Sequence, residues 1–217
     1  MADHTMTMTQ DAPVADPTTV YGDRRSPAQH LAEEMALGSG DAVSLREIPF
    51  QTKVVLRVAP GSPGARALED TLGVQLPAAA GQVSAATDGS GLSVLWFGPD
   101  DFLVVAPDEA ESGVPAVQLT ARLADALGTE PGQVADVSAN RTTLELAGAM
   151  ARQVLDKSCQ LDLHPRAFPV GHTVLTQLES TGVFIWRTDE DTWRIMPRAS
   201  FATHVVRWLL DGMREYS

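Results

Sequence analysis

Along residues 43–48 and 53–58, apolar and polar side chains alternate with a period of two. In the second run Val54, Leu56 and Val58 share one face, while Val55 and Arg57 take the other. That period predicts half-buried strands. A turn rich in proline and glycine, Pro60-Gly61-Ser62-Pro63-Gly64, leads into a short helix over 65–72 that stops at Gly73. Strands are expected over 82–87, 92–97 and 102–106. The last two are joined by Gly98-Pro99-Asp100-Asp101, whose chemistry suits a hairpin turn. Over 115–127 the period changes. Leu119, Leu123 and Leu127 recur on one helical face, and Gly128 ends the run.

The same order then returns. Strands are expected over 134–138 and 142–146, a helix over 149–155, and strands over 173–178, 183–187 and 192–196. A final amphipathic helix over 200–212 gathers Phe201, Val205, Trp208 and Leu209 on one face. Leu56-Arg57-Val58 corresponds to Leu144-Glu145-Leu146, Leu68 to Leu155, and Trp96 to Trp186. The acidic turn Pro99-Asp100-Asp101 corresponds to Asp189-Glu190-Asp191. The expectation is an α+β fold made by internal duplication at an offset of roughly 90 residues. Two β-β-α-β-β-β-α units, over about 43–128 and 134–214, would share one core, because two short helices cannot cover a sheet alone. Ahead of them, Ser26-Pro27-Ala28-Gln29 reads as a capping box with proline at the first helical position, and Gly38 ends that helix. Residues 1–25 are polar and aperiodic. They read as a disordered tail, with a single domain over 26–217.

Composition narrows the class. A chain of 217 residues with 44% hydrophobic residues can bury a real core. A net charge of −12 argues against nucleic acid as a partner, since phosphate binding needs a basic face. The charge is uneven: residues 136–217 hold nine basic against ten acidic side chains. That near-neutral third reads either as a contact surface or as composition noise. No run reaches the roughly 18 apolar residues of a membrane span. The N-terminus has no basic start and no apolar stretch, so the cytoplasm is the expected compartment. A lone cysteine, Cys159, excludes an internal disulfide and a cysteine-based zinc site.

Candidate chemistry is sparse. Gly38-Ser39-Gly40 lacks a third glycine, and the Pro60–Gly64 turn lacks the Lys-Ser/Thr ending of a phosphate loop. There is no Gly-x-Ser-x-Gly elbow. Cys159 beside Leu161 and Leu163 reads as a buried small hydrophobe rather than a nucleophile. His164 and His172 share one connection with Asp162 but lack helical spacing and a clear third metal ligand. Carboxylates at hairpin tips stay solvated and ionised, which suits neither a general acid nor a tuned pair. Trp186-Arg187 and Trp193-Arg194 admit two readings. One is a stacking platform for a pterin or base; the other is a core pattern with one apolar and one arginine-edged face.

Two segments go further. Asp136-Val137-Ser138-Ala139-Asn140-Arg141-Thr142 runs into a strand. Leu161-Asp162-Leu163-His164-Pro165-Arg166-Ala167-Phe168-Pro169-Val170-Gly171 follows, with Trp186-Arg187-Thr188 and Ser200-Phe201 behind it. From about Arg46 onward the chain resembles the gamma subunits of heterotetrameric sarcosine oxidase. The resemblance implies a fold like the folate-binding domain of the glycine-cleavage aminomethyltransferase. It implies a non-catalytic accessory subunit with no cofactor or metal of its own, packed on a large alpha subunit and joined by beta and delta. FAD, FMN, NAD and zinc would belong to those partners. The complex would demethylate sarcosine to glycine, with hydrogen peroxide and formaldehyde or methylene-tetrahydrofolate as the other products. Folate-using relatives carry a stretch like Arg-Thr-Gly-Tyr-Thr-Gly-Glu, where this chain has Arg187-Thr188-Asp189-Glu190-Asp191. No folate role is therefore assigned to Glu190. In the accessory reading the candidate partner contacts are Asn140, Arg141, His164, Arg166 and Phe168. The arginines would pair with partner carboxylates and Phe168 would anchor. The alternative is a free-standing tetrahydrofolate-binding one-carbon transferase, which would need a substitute for the missing loop.

Overall fold

The computed structural model describes residues 23–216. Most of the expected tail, residues 1–22, lies outside the described residues. A 3₁₀ turn, Gln29–Leu31, runs into helix α1 (Ala32–Leu37). Strands β1 (Ser44–Ile48) and β2 (Gln51–Val58), helix α2 (Pro63–Leu72) and strands β3 (Val83–Ala85), β4 (Ser93–Trp96) and β5 (Asp101–Asp108) follow. Helices α3 (Glu109–Ser112) and α4 (Ala116–Leu127) close the first half. The second half runs β6 (Gly132–Asp136), β7 (Thr143–Ala147), α5 (Ala151–Asp156), β8 (Thr173–Leu178), β9 (Thr181–Asp189) and β10 (Thr192–Pro197). A 3₁₀ turn, Ala199–Phe201, then leads into α6 (Ala202–Met213).

The strands form two antiparallel sheets, ordered β6-β2-β5-β4-β3 and β1-β7-β10-β9-β8. Matched by position within each half, the two orders are the same. Each sheet takes its first strand from the other half, so Ser44 of β1 pairs with Ala147 of β7 and Val58 of β2 with Gly132 of β6. The chain therefore crosses between sheets twice: at Pro49-Phe50 after β1, and over 137–142 after β6.

The period of two becomes layers. Val54, Leu56 and Val58 pack against Leu68 and Leu72 of α2 and Leu119, Leu123 and Leu127 of α4. On the opposite face of the same sheet, Val55, Leu95, Leu103 and Val105 meet Phe184, Trp186 and Met196 of the second sheet. The outer face of that sheet, with Leu144, Leu146, Ile185, Trp193 and Ile195, is covered by Met35, Val154, Leu155, Val205 and Leu209 of α1, α5 and α6. The core is thus three clusters rather than the one expected. A strand covered on both faces feeds two interiors.

Other expectations change too. The corresponding tryptophans face opposite ways: Trp96 packs on the helix side and Trp186 between the sheets. The capping box does not form. The Glu47 carboxylate accepts the Ser26 hydroxyl at 2.5 Å and the Ala28 N–H at 3.1 Å, so the α-helix starts only at Ala32. Glycine stops hold as read: Gly73 ends α2 at φ +68° and Gly128 ends α4 at φ +57°.

Candidate functional site

The second crossing is built from its acidic start. Asp136 accepts the Ser138 N–H (2.9 Å) and hydroxyl (2.6 Å), a turn local to the two residues. Ser138 Oγ in turn accepts the Lys53 N–H at 3.0 Å, fastening the crossing to β2. The Asn140 carbonyl accepts the Ala199 N–H (2.9 Å), and Arg141 bridges to Arg198. Asn140 itself is exposed. Arg141 turns inward: its Nη1 donates to the Met196 carbonyl at 3.0 Å and its guanidinium sits 5.0 Å from the Phe184 ring. Burial, with Arg198 nearby, lowers its pKa from the ordinary value. Arg141 is thus largely an internal strut rather than an outward fork.

The loop after α5 is held at both ends by apolar side chains. Leu163 and Phe168 are buried in the helix-side core, while His164 and Arg166 between them are exposed. Asp162 accepts the His164 N–H (2.9 Å). The His164 carbonyl accepts the N–H groups of Ala167 and Phe168, each at 2.8 Å. The His164 Nδ1 accepts the Arg166 N–H at 3.2 Å. This places two polar side chains outward on a fixed backbone. Phe168 cannot anchor a partner in this arrangement. Its ring lies 5.4 Å from Trp193 and edge-on to His172 at 4.8 Å, and it is 3% exposed, because the loop needs an apolar foot. Of the five expected contact residues, Asn140, His164 and Arg166 lie at the surface, Arg141 is half-buried and Phe168 is buried. The two histidines also separate in role: His164 faces out, whereas burial lowers the pKa of His172.

The tryptophan–arginine alternation resolves by register. Antiparallel pairing sets Trp193 opposite Arg187 and Arg194 opposite Trp186. Each face therefore carries one ring and one guanidinium, not the apolar and arginine-edged pair of faces expected. Arg187 is buried 5.3 Å from the Trp193 ring and donates to the carbonyls of Phe168 (2.9 Å) and Glu190 (2.6 and 3.1 Å). On the inner face Arg194 lies 5.1 Å from the Trp186 ring. Both indoles are buried and already stacked on an arginine, so neither offers a free platform for a pterin. Cys159 is buried, and burial pushes its thiol pKa up, the direction of an inert thiol.

A polar seam between the sheets has no counterpart among the sequence motifs. Glu145 takes Arg46 at 2.6 Å and Arg194 at 3.5 Å. Lys53 lies on the inner face of β2, 1% exposed, and burial lowers its pKa to about 8. The available signal was a lysine in phase with the inward Val55. Among the described residues no three His, Cys, Asp or Glu side chains gather as a metal site, and no helix is long and apolar enough to cross a membrane.

Over residues 59–215 the chain matches the family described as "Sarcosine oxidase, gamma subunit family". It is 52% identical over 195 residues to the sarcosine oxidase subunit gamma of Corynebacterium sp. (strain P-1), covering 89% of this chain and 92% of that protein. It is 51% identical, at the same coverage, to the sarcosine oxidase subunit gamma of Arthrobacter sp.. Among solved structures it is similar to a chain of the heterotetrameric sarcosine oxidase from Corynebacterium sp. U-96 in complex with pyrrole 2-carboxylate. There the TM-score is 0.82 at 51% identity, covering 89% of this chain and 96% of that one. A more distant likeness is the glycine cleavage system aminomethyltransferase T from Bartonella henselae, with a TM-score of 0.59 at 17% identity. It covers 85% of this chain and 56% of that one, and shows a shared fold alone. With half its residues identical to these gamma subunits over most of both lengths, the chain belongs to the sarcosine oxidase gamma subunit family.

Proposed function

We propose that this chain is the non-catalytic accessory gamma subunit of a heterotetrameric, flavin-dependent sarcosine oxidase. The observation that carries the reading is the TM-score of 0.82, at 51% identity, to a chain of such a heterotetramer. In the proposed assembly the chain packs mainly on the alpha subunit, with beta and delta completing the complex in the cytoplasm. FAD, FMN, NAD and zinc are held by those partners. The complex converts sarcosine to glycine, reduces oxygen to hydrogen peroxide, and delivers the one-carbon unit as formaldehyde or on tetrahydrofolate.

The surface chemistry supports the loop after α5 as part of the contact. Arg166 presents a planar fork suited to a partner carboxylate, and His164 beside it is exposed on a backbone already ordered. Co-expression of all four chains with a tag on this one tests the reading. A yellow four-chain complex is expected. The His164→Ala/Arg166→Glu double variant should lower its recovery at least about tenfold, with the melting temperature of the free chain unchanged. Wild-type recovery of the variant would remove the loop from the interface. A colourless lone chain would overturn the assembly, and saturable tetrahydrofolate binding by that chain would favour the free-standing transferase.

A further inference from the structure

Where β1 passes into β2, a cavity of about 380 Å³ opens between the two sheets. That volume lies within the range of small-molecule sites. Its polar lining is divided by charge. Arg46 and Arg194 stand on the β1-β7-β10 side, where they share the single carboxylate of Glu145, so two guanidiniums meet one anion. Asp108, at the end of β5, and Glu111, in α3, line the other side. Asp108 is bound to Arg24 at 2.8 Å, whereas Glu111 makes no ion pair among the described residues. Gln51 also lines the cavity. It is 7% exposed, and its Oε1 is buried with no hydrogen-bond partner. A buried acceptor left unpaired is a standing cost that a ligand's donor would remove.

We infer that this cavity binds a small zwitterion with a carboxylate beside a protonated amine, that is, a free α-amino acid. The carboxylate belongs with Arg194 and Arg46, which offer donors in excess of Glu145. The amine belongs with Gln51 Oε1 and the Glu111 carboxylate, groups that only accept, whereas both Asp108 oxygens are already taken by Arg24. A bare dianion such as phosphate would face the unpaired carboxylate of Glu111, and a bare cation two guanidiniums. Both are disfavoured by like charge. Ile48, Pro49 and Pro107 make the apolar part of the wall and leave room for a short side chain.

Binding is read on the full chain labelled with 5-fluorotryptophan, because Arg194 stacks on Trp186 and occupancy should move that resonance. The resonance is assigned with Trp186→Phe, in a buffer free of amines and carboxylates. Glycine, alanine, propionate, propylamine and inorganic phosphate are titrated in turn. The expected result is a saturable shift with glycine or alanine, and binding at least about tenfold weaker for the other three. Arg194→Met and Gln51→Leu should each weaken the amino acid at least about tenfold. No saturable shift with either amino acid up to about 50 mM would overturn the inference. So would propionate or phosphate binding as tightly as alanine, which would mark a simple anion site. Should either variant melt early, Glu111→Gln on the exposed helix α3 tests the amine side without touching the sheets, and unchanged affinity there counts against the site.

Discussion

Lys53 has lost almost all of its water on the inner face of β2, and its pKa falls from 10.5 to about 8. Glu47 offsets part of that fall and Arg194 adds to it. The sign of the pH dependence follows. Below about pH 8 both the folded and unfolded chains carry the charge, and the fold bears the full penalty, on the order of 3 kcal/mol. Between about pH 8 and 10.5 the unfolded chain binds more protons, so this group makes stability rise with pH; above that the penalty is gone. Lys53→Met is therefore expected to stabilise the protein by about 2–3 kcal/mol at pH 7. Its advantage should shrink to near zero by pH 10.5. Urea unfolding of both proteins across this range measures the difference, and an advantage independent of pH would mean the charge is not its cause. The lysine itself was plain in the sequence, but its burial was not, because a period of two does not say what covers each face.

Between elements, the tightest approach joins the two halves beside β3 and β8. The Gly81 carbonyl accepts the Thr173 N–H at 2.8 Å, and an added Cβ at Gly81 would fall 1.9 Å from Cε1 of the His172 ring. Gly81 also has φ +81°, which a side chain resists. Gly81→Ala should cost at least about 2 kcal/mol, combining overpacking with backbone strain. Adding His172→Ala should return only the steric share, which a double-mutant cycle on unfolding free energies separates. Equal costs with and without the histidine would place the whole effect in the backbone. At this scale much was legible. The strand over 173–178 has the expected bounds, and the helices α2 and α4 end at the expected glycines. The helix before β1 is shorter than its sequence predicts because Ser26 serves Glu47 and Thr142 serves the same carboxylate at 2.5 Å, partners 21 and 95 residues away. No local capping rule sees those contacts.

The molecule as a whole is held by exchange of first strands. The sheet carrying β2 to β5 is completed by β6, and the sheet carrying β7 to β10 by β1. Neither half can satisfy its own edge or cover both faces of its sheet alone. A fragment over 43–128 is expected to lack a cooperative urea transition. Mixing it with a fragment over 129–217 should restore one, followed by near-UV circular dichroism. A cooperative transition in the lone first fragment would show that β1 can fold back onto its own half. The exchange also makes the segment over 137–142 a crossing between sheets. It must span from sheet to sheet while leaving Asn140 at the surface.

The sequence by itself determined the kind and order of the elements apart from the short helix α3, most of their stops, and the family, because periodicity, glycine and proline placement and contiguous motifs are local properties of the chain. Only the tertiary structure decided that Trp96 and Trp186 face opposite ways, that Arg141 and Phe168 turn inward, that Arg46 and Arg194 converge on Glu145, and that Lys53 is buried between the sheets. Those outcomes depend on register and on strands paired across about a hundred residues. A one-residue change of phase exchanges every inner side chain for an outer one without altering the pattern along the chain.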